Sequence, residues 1–211
     1  MDKIILKSFA SITMIAAVLL LAGCSKEEPK KEDTPELITK ATLVFTPSDG
    51  SASVTVTATD PDNQGAQPIR VDGPINLAKN KTYVMTISLI NGLAQPTDPA
   101  YDVSEEVREE GIEHQFFFAW TNNVFSNPSG NGNIDNRTDP VLYEGGQNDT
   151  SKDANGRNLG LVTTWTTANS SISGGTFRVL LKHQPNNLKS DASDSATGET
   201  DFDVTFVLNV Q

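Results

Sequence analysis

From Leu37 onward, apolar and polar side chains alternate with a period of two. Ala41, Leu43 and Phe45 alternate with Thr42, Val44 and Thr46, and Val54, Val56 and Ala58 alternate with Thr55, Thr57 and Thr59. Tyr83, Met85, Ile87 and Leu89 share one face of a third stretch, and Phe116, Phe118 and Trp120 one face of a fourth. Leu161, Thr163 and Trp165 form a fifth, Phe177, Val179 and Leu181 a sixth, and Phe202, Val204, Phe206, Leu208 and Val210 a seventh. Successive strand side chains point to opposite faces of a sheet. This alternation, rich in β-branched and aromatic residues, therefore predicts seven half-buried strands.

Turn chemistry separates the strands. Pro47-Ser48-Asp49-Gly50 predicts a tight hairpin between the first two. Asp72-Gly73-Pro74 and Asn91-Gly92 break the chain again, and Ser173-Gly174-Gly175 is expected to link the fifth strand to the sixth. One short helix is predicted, from Val103 to about Glu110. Asp102 caps it, Glu105 is the capping-box partner, and Gly111 stops it. The fold class that follows is all-β: an antiparallel β-sandwich, immunoglobulin-like in architecture, as one domain over 37–211. A closed β-barrel is the alternative. Residues 121–158 interrupt the pattern with nine Asn, five Gly and four Asp in 38 residues. Loops of this length are functional or disordered. Residues 188–200 form a second polar loop, in which Asp194-Ser195-Ala196 resembles an O-glycosylation site of exported Bacteroidetes proteins.

The N-terminus breaks the period altogether. Lys3 and Lys7 precede an apolar run from Ile12 to Leu21, interrupted only by Thr13. Ten residues are too few to span a bilayer and suit a signal-peptide core. Leu21-Ala22-Gly23-Cys24 resembles the lipobox of bacterial lipoproteins. The resemblance implies cleavage after Gly23, acylation of Cys24 and anchoring by more than one acyl chain. Residues 1–23 are then a signal peptide, and residues 24–36 are the acylated Cys and a flexible tether without apolar residues besides proline. Ser25-Lys26-Glu27-Glu28 resembles the surface-export signal of Bacteroidetes lipoproteins. The expected location is the outer membrane, lipid-anchored and exposed at the cell surface, with the periplasmic face as the alternative.

Composition narrows the function classes. The chain has 211 residues and a net charge of −11, and the expected mature chain carries −12. A charge this negative argues against nucleic-acid binding, which replaces phosphate counterions with a basic surface. One Cys makes neither an intramolecular disulfide nor a multi-cysteine metal site. G-x-S-x-G, H-E-x-x-H and P-loop patterns do not occur, so the expectation is a binding module, not an enzyme.

Three constellations could bind a ligand. His114 and His183 share strand faces with core residues, so both imidazoles are expected to point inward at a sandwich rim. With Glu113 or Glu109 they would make a nitrogen/oxygen set suited to a divalent metal; alternatively, each is a core-edge histidine bonded to backbone. Asp60-Pro61-Asp62 begins like a calcium loop, but position twelve is Val71 where an EF-hand needs Glu. An irregular calcium site at Asp60 and Asp62 is the remaining form. Trp120, Phe125, Tyr143 and Trp165 would form a glycan platform if exposed, or core if not.

Glu105-Glu106-Val107, Glu113-His114-Gln115-Phe116, Lys182-His183-Gln184-Pro185 and Gly198-Glu199-Thr200-Asp201 with Asp203-Val204-Thr205-Phe206 resemble a family of small uncharacterised Bacteroidetes lipoproteins. The resemblance covers most of 37–211 and implies location more than activity. Three functions follow as expectations. The first is a non-catalytic binding or accessory module, associated with a TonB-dependent transporter or a glycan. The second is a structural or adhesive surface module. The third is a divalent-metal-binding lipoprotein using the two histidines.

Overall fold

In the computed structural model, residues 36–62, 68–132 and 150–211 are described. Cys24 and the proposed signal peptide lie outside them, as do Ile134, Val141, Leu142 and Tyr143. All seven predicted strands form. They are β1 (Lys40–Pro47), β2 (Val54–Thr59), β5 (Thr82–Ile90), β6 (His114–Trp120), β8 (Val162–Thr167), β9 (Ile172–His183) and β10 (Glu199–Val210). Three short strands add to them: β3 (Arg70–Val71), β4 (Ile75–Leu77) and β7 (Phe125–Asn127). Two or three residues are too few to show a period, which is why the alternation did not reveal them.

The strands make two sheets, one of six in the order β3-β2-β1-β5-β8-β7 and one of four in the order β4-β10-β9-β6. All pairings are antiparallel except β4 with β10. The fold is thus an all-β sandwich. The inward residues are those that alternation selects: Ala41, Leu43 and Phe45 on β1, Tyr83, Met85, Ile87 and Leu89 on β5, and Phe116, Phe118 and Trp120 on β6 are all buried. The outer face of the larger sheet carries Thr42, Thr57, Thr86, Thr164 and Thr166, whose hydroxyls tolerate water and whose branching suits a strand.

The core is densest where Trp120, Phe125, Trp165 and Phe177 meet. Trp120 and Trp165 pack edge to face with centroids 5.2 Å apart. Each indole N–H is satisfied, Trp120 by the Gly130 carbonyl at 2.8 Å and Trp165 by Thr163 Oγ1 at 2.7 Å. Three of the four aromatics of the suggested glycan platform are therefore core, and Tyr143 lies outside the described residues.

The link from β8 to β9 differs from expectation. Gly174 and Gly175 lie inside β9, and the turn is at residues 168–171. A Cβ on Gly175 would sit 2.4 Å from Val124 Cγ1, so this glycine marks a close approach inside a strand and not a turn. The helix forms as predicted. α1 spans Val103–Glu109, and Asp102 Oδ1 accepts from the Glu105 N–H at 3.2 Å. Among the described residues no helix is long and apolar enough to cross a membrane.

Candidate functional site: a histidine and carboxylate rim

β6 and β9 run antiparallel, with His114 directly opposite His183 at one end and Trp120 opposite Phe177 at the other. Both histidines are buried, at 0% and 1% exposure. Their rings stack, centroids 4.7 Å apart and planes 7° from parallel. An imidazole lone pair lies in the plane of its ring. An ion in the plane of one ring therefore lies off the plane of the other, and the two histidines do not converge on one ligand. Each Nε2 faces a different carboxylate. His183 Nε2 is 3.8 Å from Glu113 Oε2, while His114 Nε2 is 3.8 Å from Glu36 Oε1 and 3.7 Å from Asp201 Oδ2.

The carboxylates around His114 come from three parts of the chain. Glu36 stands just before β1, and its N–H donates to Asp201 Oδ1 at 3.2 Å. Glu110 caps the C-terminus of α1, and its carbonyl accepts from His114 Nδ1 at 3.3 Å. Asp201 lies in β10 at a register shift, where Thr200 pairs with Lys182 and Phe202 with Leu181. Strand parity would send Asp201 to the outer face beside Asp203. The extra residue of a β-bulge re-aims its side chain, which has no exposed surface. The donor atoms of Glu36, Glu110 and His114 lie within 4.8 Å of one another.

Burial sets the electrostatics. Desolvation, then the Glu106 carboxylate hydrogen-bonded to it, then Asp201 and Glu110 push Glu36 up to about 8. Desolvation lifts Asp201 to about 7, against the Glu36 N–H and Lys182, with Glu199 adding to the rise. In both cases burial penalises the charged form and neighbouring negative charge compounds it.

Two devices brace the rim. Gly198 has φ +76°, and a Cβ there would sit 2.0 Å from the His183 carbonyl oxygen. Only glycine lets the Gly-Glu-Thr-Asp turn press this close to the end of β9. Lys189 and Asp153 form a fully buried ion pair at 3.0 Å, and Lys189 Nζ also donates to the Gly111 carbonyl at 2.7 Å, fixing the chain after α1. Burial pushes the Asp153 carboxyl up, but the Lys189 ammonium and the Arg157 and Asn155 N–H groups outweigh it and hold the acid below its ordinary range.

The other predicted residues fall elsewhere. Glu109 is exposed on α1. Asp60 is buried, and its Oδ1 accepts from the Asp62 N–H at 3.2 Å in a local turn. Residues 63–67 of the suggested calcium loop lie outside the described residues, and no described metal-competent grouping includes Asp60 or Asp62. Glu36, Glu110 and Asp201 were not among the predicted ligands. Glu36 reads as tether and Glu110 as the helix end, and Asp201 stands out only as part of Gly198-Glu199-Thr200-Asp201. A cavity of about 500 Å³ lies along α1, lined by Tyr101, Glu105, Glu106, Glu109 and Glu110 among others. Comparison of the chain with protein families, curated proteins and solved structures finds no match.

Proposed function

We propose that this protein is a lipid-anchored, non-catalytic binding module of a bacterial outer membrane, displayed at the cell surface, and that its ligand-binding end is the rim where β6, β9 and β10 meet α1. One observation carries the binding half of this reading. Two carboxylates face one buried imidazole nitrogen at 3.7–3.8 Å at the edge of the apolar core. Gathering ionised acids away from water is costly unless a proton or a cation joins them, and a cation or the cationic group of a partner is the ligand that would displace those protons. The anchor is supported by Leu21-Ala22-Gly23-Cys24, by the export-like Ser25-Lys26-Glu27-Glu28, and by the resemblance to small Bacteroidetes lipoproteins. A TonB-dependent transporter is the proposed membrane partner.

Labelled palmitate and proteinase treatment of intact cells test the location. Wild-type protein is expected to incorporate label, sediment with outer membranes and be shaved from whole cells, while Cys24→Ala loses label and membrane association. A Cys24→Ala protein that stays membrane-bound would contradict the anchor. Co-purification with an outer-membrane transporter would support the accessory role. Recovery of the intact protein without one would favour a structural or adhesive surface module.

A further inference from the structure

We infer that the rim is a binding site for a single divalent transition-metal ion, ligated by His114 and the carboxylates of Glu36 and Glu110, with Asp201 facing the same ring nitrogen and His183 outside the coordination sphere. This deepens the reading of the rim as the binding end and rests on it.

The assignment begins with the proton on His114. Its Nδ1 lies 3.3 Å from the Glu110 carbonyl oxygen. A carbonyl only accepts, so Nδ1 carries the hydrogen, and Nε2 is the ring nitrogen left to bind an ion once it has shed any proton. Nε2 faces Glu36 Oε1 and Asp201 Oδ2. A metal ion at this point would displace the protons that the buried acids otherwise hold. A ring N–H bonded to a backbone carbonyl is also how metal-ligating histidines are commonly oriented.

The separations agree. At 3.7 and 3.8 Å the nitrogen is beyond hydrogen-bond range of both oxygens. Two ligands about 2.0–2.2 Å from a tetrahedral ion stand about 3.4 Å apart, and the ligand atoms of His114, Glu36 and Glu110 already lie within 4.8 Å of one another. Asp201 supplies a second, independent sign. Its Oδ2 is buried, has no hydrogen-bond partner, and points at His114 because the β10 bulge turns it there. Buried polar atoms in native proteins are normally satisfied, and an exception calls for an explanation such as an ion. The nitrogen donor disfavours calcium and magnesium, which take oxygen shells, and suits zinc and its first-row neighbours. Glu110 belongs to this cluster and, with Glu106, to the wall of the α1 cavity, whose carboxylates would attract a cation. His183, stacked on His114 with its Nε2 near Glu113, holds the His114 ring in place from one side.

The test is zinc titration of the full-length chain in detergent micelles, by calorimetry and by melting temperature, with manganese and calcium alone in parallel. Zinc is expected to bind one to one and to raise the melting temperature, with calcium far weaker. Glu36→Gln, Asp201→Asn and His114→Phe should each weaken zinc binding about tenfold or more, the scale on which even outer-shell changes act. His183→Phe should bind zinc within a few-fold of wild type. Should His114→Phe fail to fold, Glu36→Gln carries the test, because Glu36 precedes the first strand. Folded wild type that ignores zinc would overturn the proposal. So would zinc binding that survives Glu36→Gln and Asp201→Asn, or that His183→Phe abolishes in a folded protein. Failure here leaves the palmitate result untouched, so the site and the anchor fail separately.

Discussion

The two ends of the β6–β9 pair are built on one pattern and come to opposite ends chemically. Inward positions along β6 run His114, Phe116, Phe118 and Trp120, and along β9 they run Phe177, Val179, Leu181 and His183. At the Trp120 end every large ring packs on another, with Trp165 and Phe177 at 5.1 Å and 85°, and both indole N–H groups are bonded. At the His114 end the buried atoms His183 Nε2 and Asp201 Oδ2 lack hydrogen bonds, and carboxylates from Glu36 and Glu110 crowd in. Burial alone thus does not distinguish a core from a site. Satisfaction of the buried polar groups does.

Substitutions at the two ends should separate them. The largest effect is expected at the aromatic end, where Trp165→Ala removes a ring that touches Phe118, Trp120, Phe125 and Phe177. A loss of about 3–5 kcal/mol is expected in urea unfolding, and a loss below about 1 kcal/mol would show that this end is not the stabilising one. Beside the rim, Lys189→Met should cost about 3 kcal/mol, because it leaves Asp153 as a buried charge without its partner. Asp153→Asn in the same background should recover part of that loss, and no recovery would refute the ion-pair account.

The third effect is pH dependence. Glu36 rises from 4.5 to about 8 and Asp201 from 3.8 to about 7 on folding. The folded, metal-free protein therefore holds protons that the unfolded chain has released. The stabilisation from these groups is full below about pH 4 and is lost as pH rises through about 7–8. Melting temperature in chelator should fall from pH 5 to pH 8, and Glu36→Gln should flatten the fall. A melting temperature that rises over this window would break the electrostatic description of the rim. The smallest effect is expected for His183→Phe, which keeps a ring of similar size and removes a nitrogen without a hydrogen bond. It should change unfolding free energy by less than about 1.5 kcal/mol, and a loss equal to that of Trp165→Ala would erase the contrast between the ends.

Period-two alternation revealed the seven long strands and Asp102 with Glu105 revealed the helix, because both signals are local and regular. The histidines were also legible, since their parity with Phe116 and Leu181 put both rings inside. Their partners were not. Asp201 sits inside only because a bulge breaks the parity that would place it beside Asp203. Glu36 reads as tether because it follows a run of charges without apolar residues, and only tertiary packing against Glu106 and Asp201 makes it part of the fold. Stacking of the two rings was equally hidden. It depends on the direct pairing of His114 with His183, and register between distant strands is not written in either one. Gly198 was visible within Gly-Glu-Thr-Asp, but its need for positive φ and its contact with the His183 carbonyl belong to the packed structure.

The measurement that tests the rim most directly is X-ray absorption at the zinc edge of the full-length protein loaded with one equivalent of zinc. The expected spectrum shows one imidazole nitrogen at about 2.0 Å and carboxylate oxygens at about 2.0–2.2 Å, unchanged by His183→Phe. A shell with two imidazoles, or one without any, would contradict the assignment of His114 as the single histidine ligand.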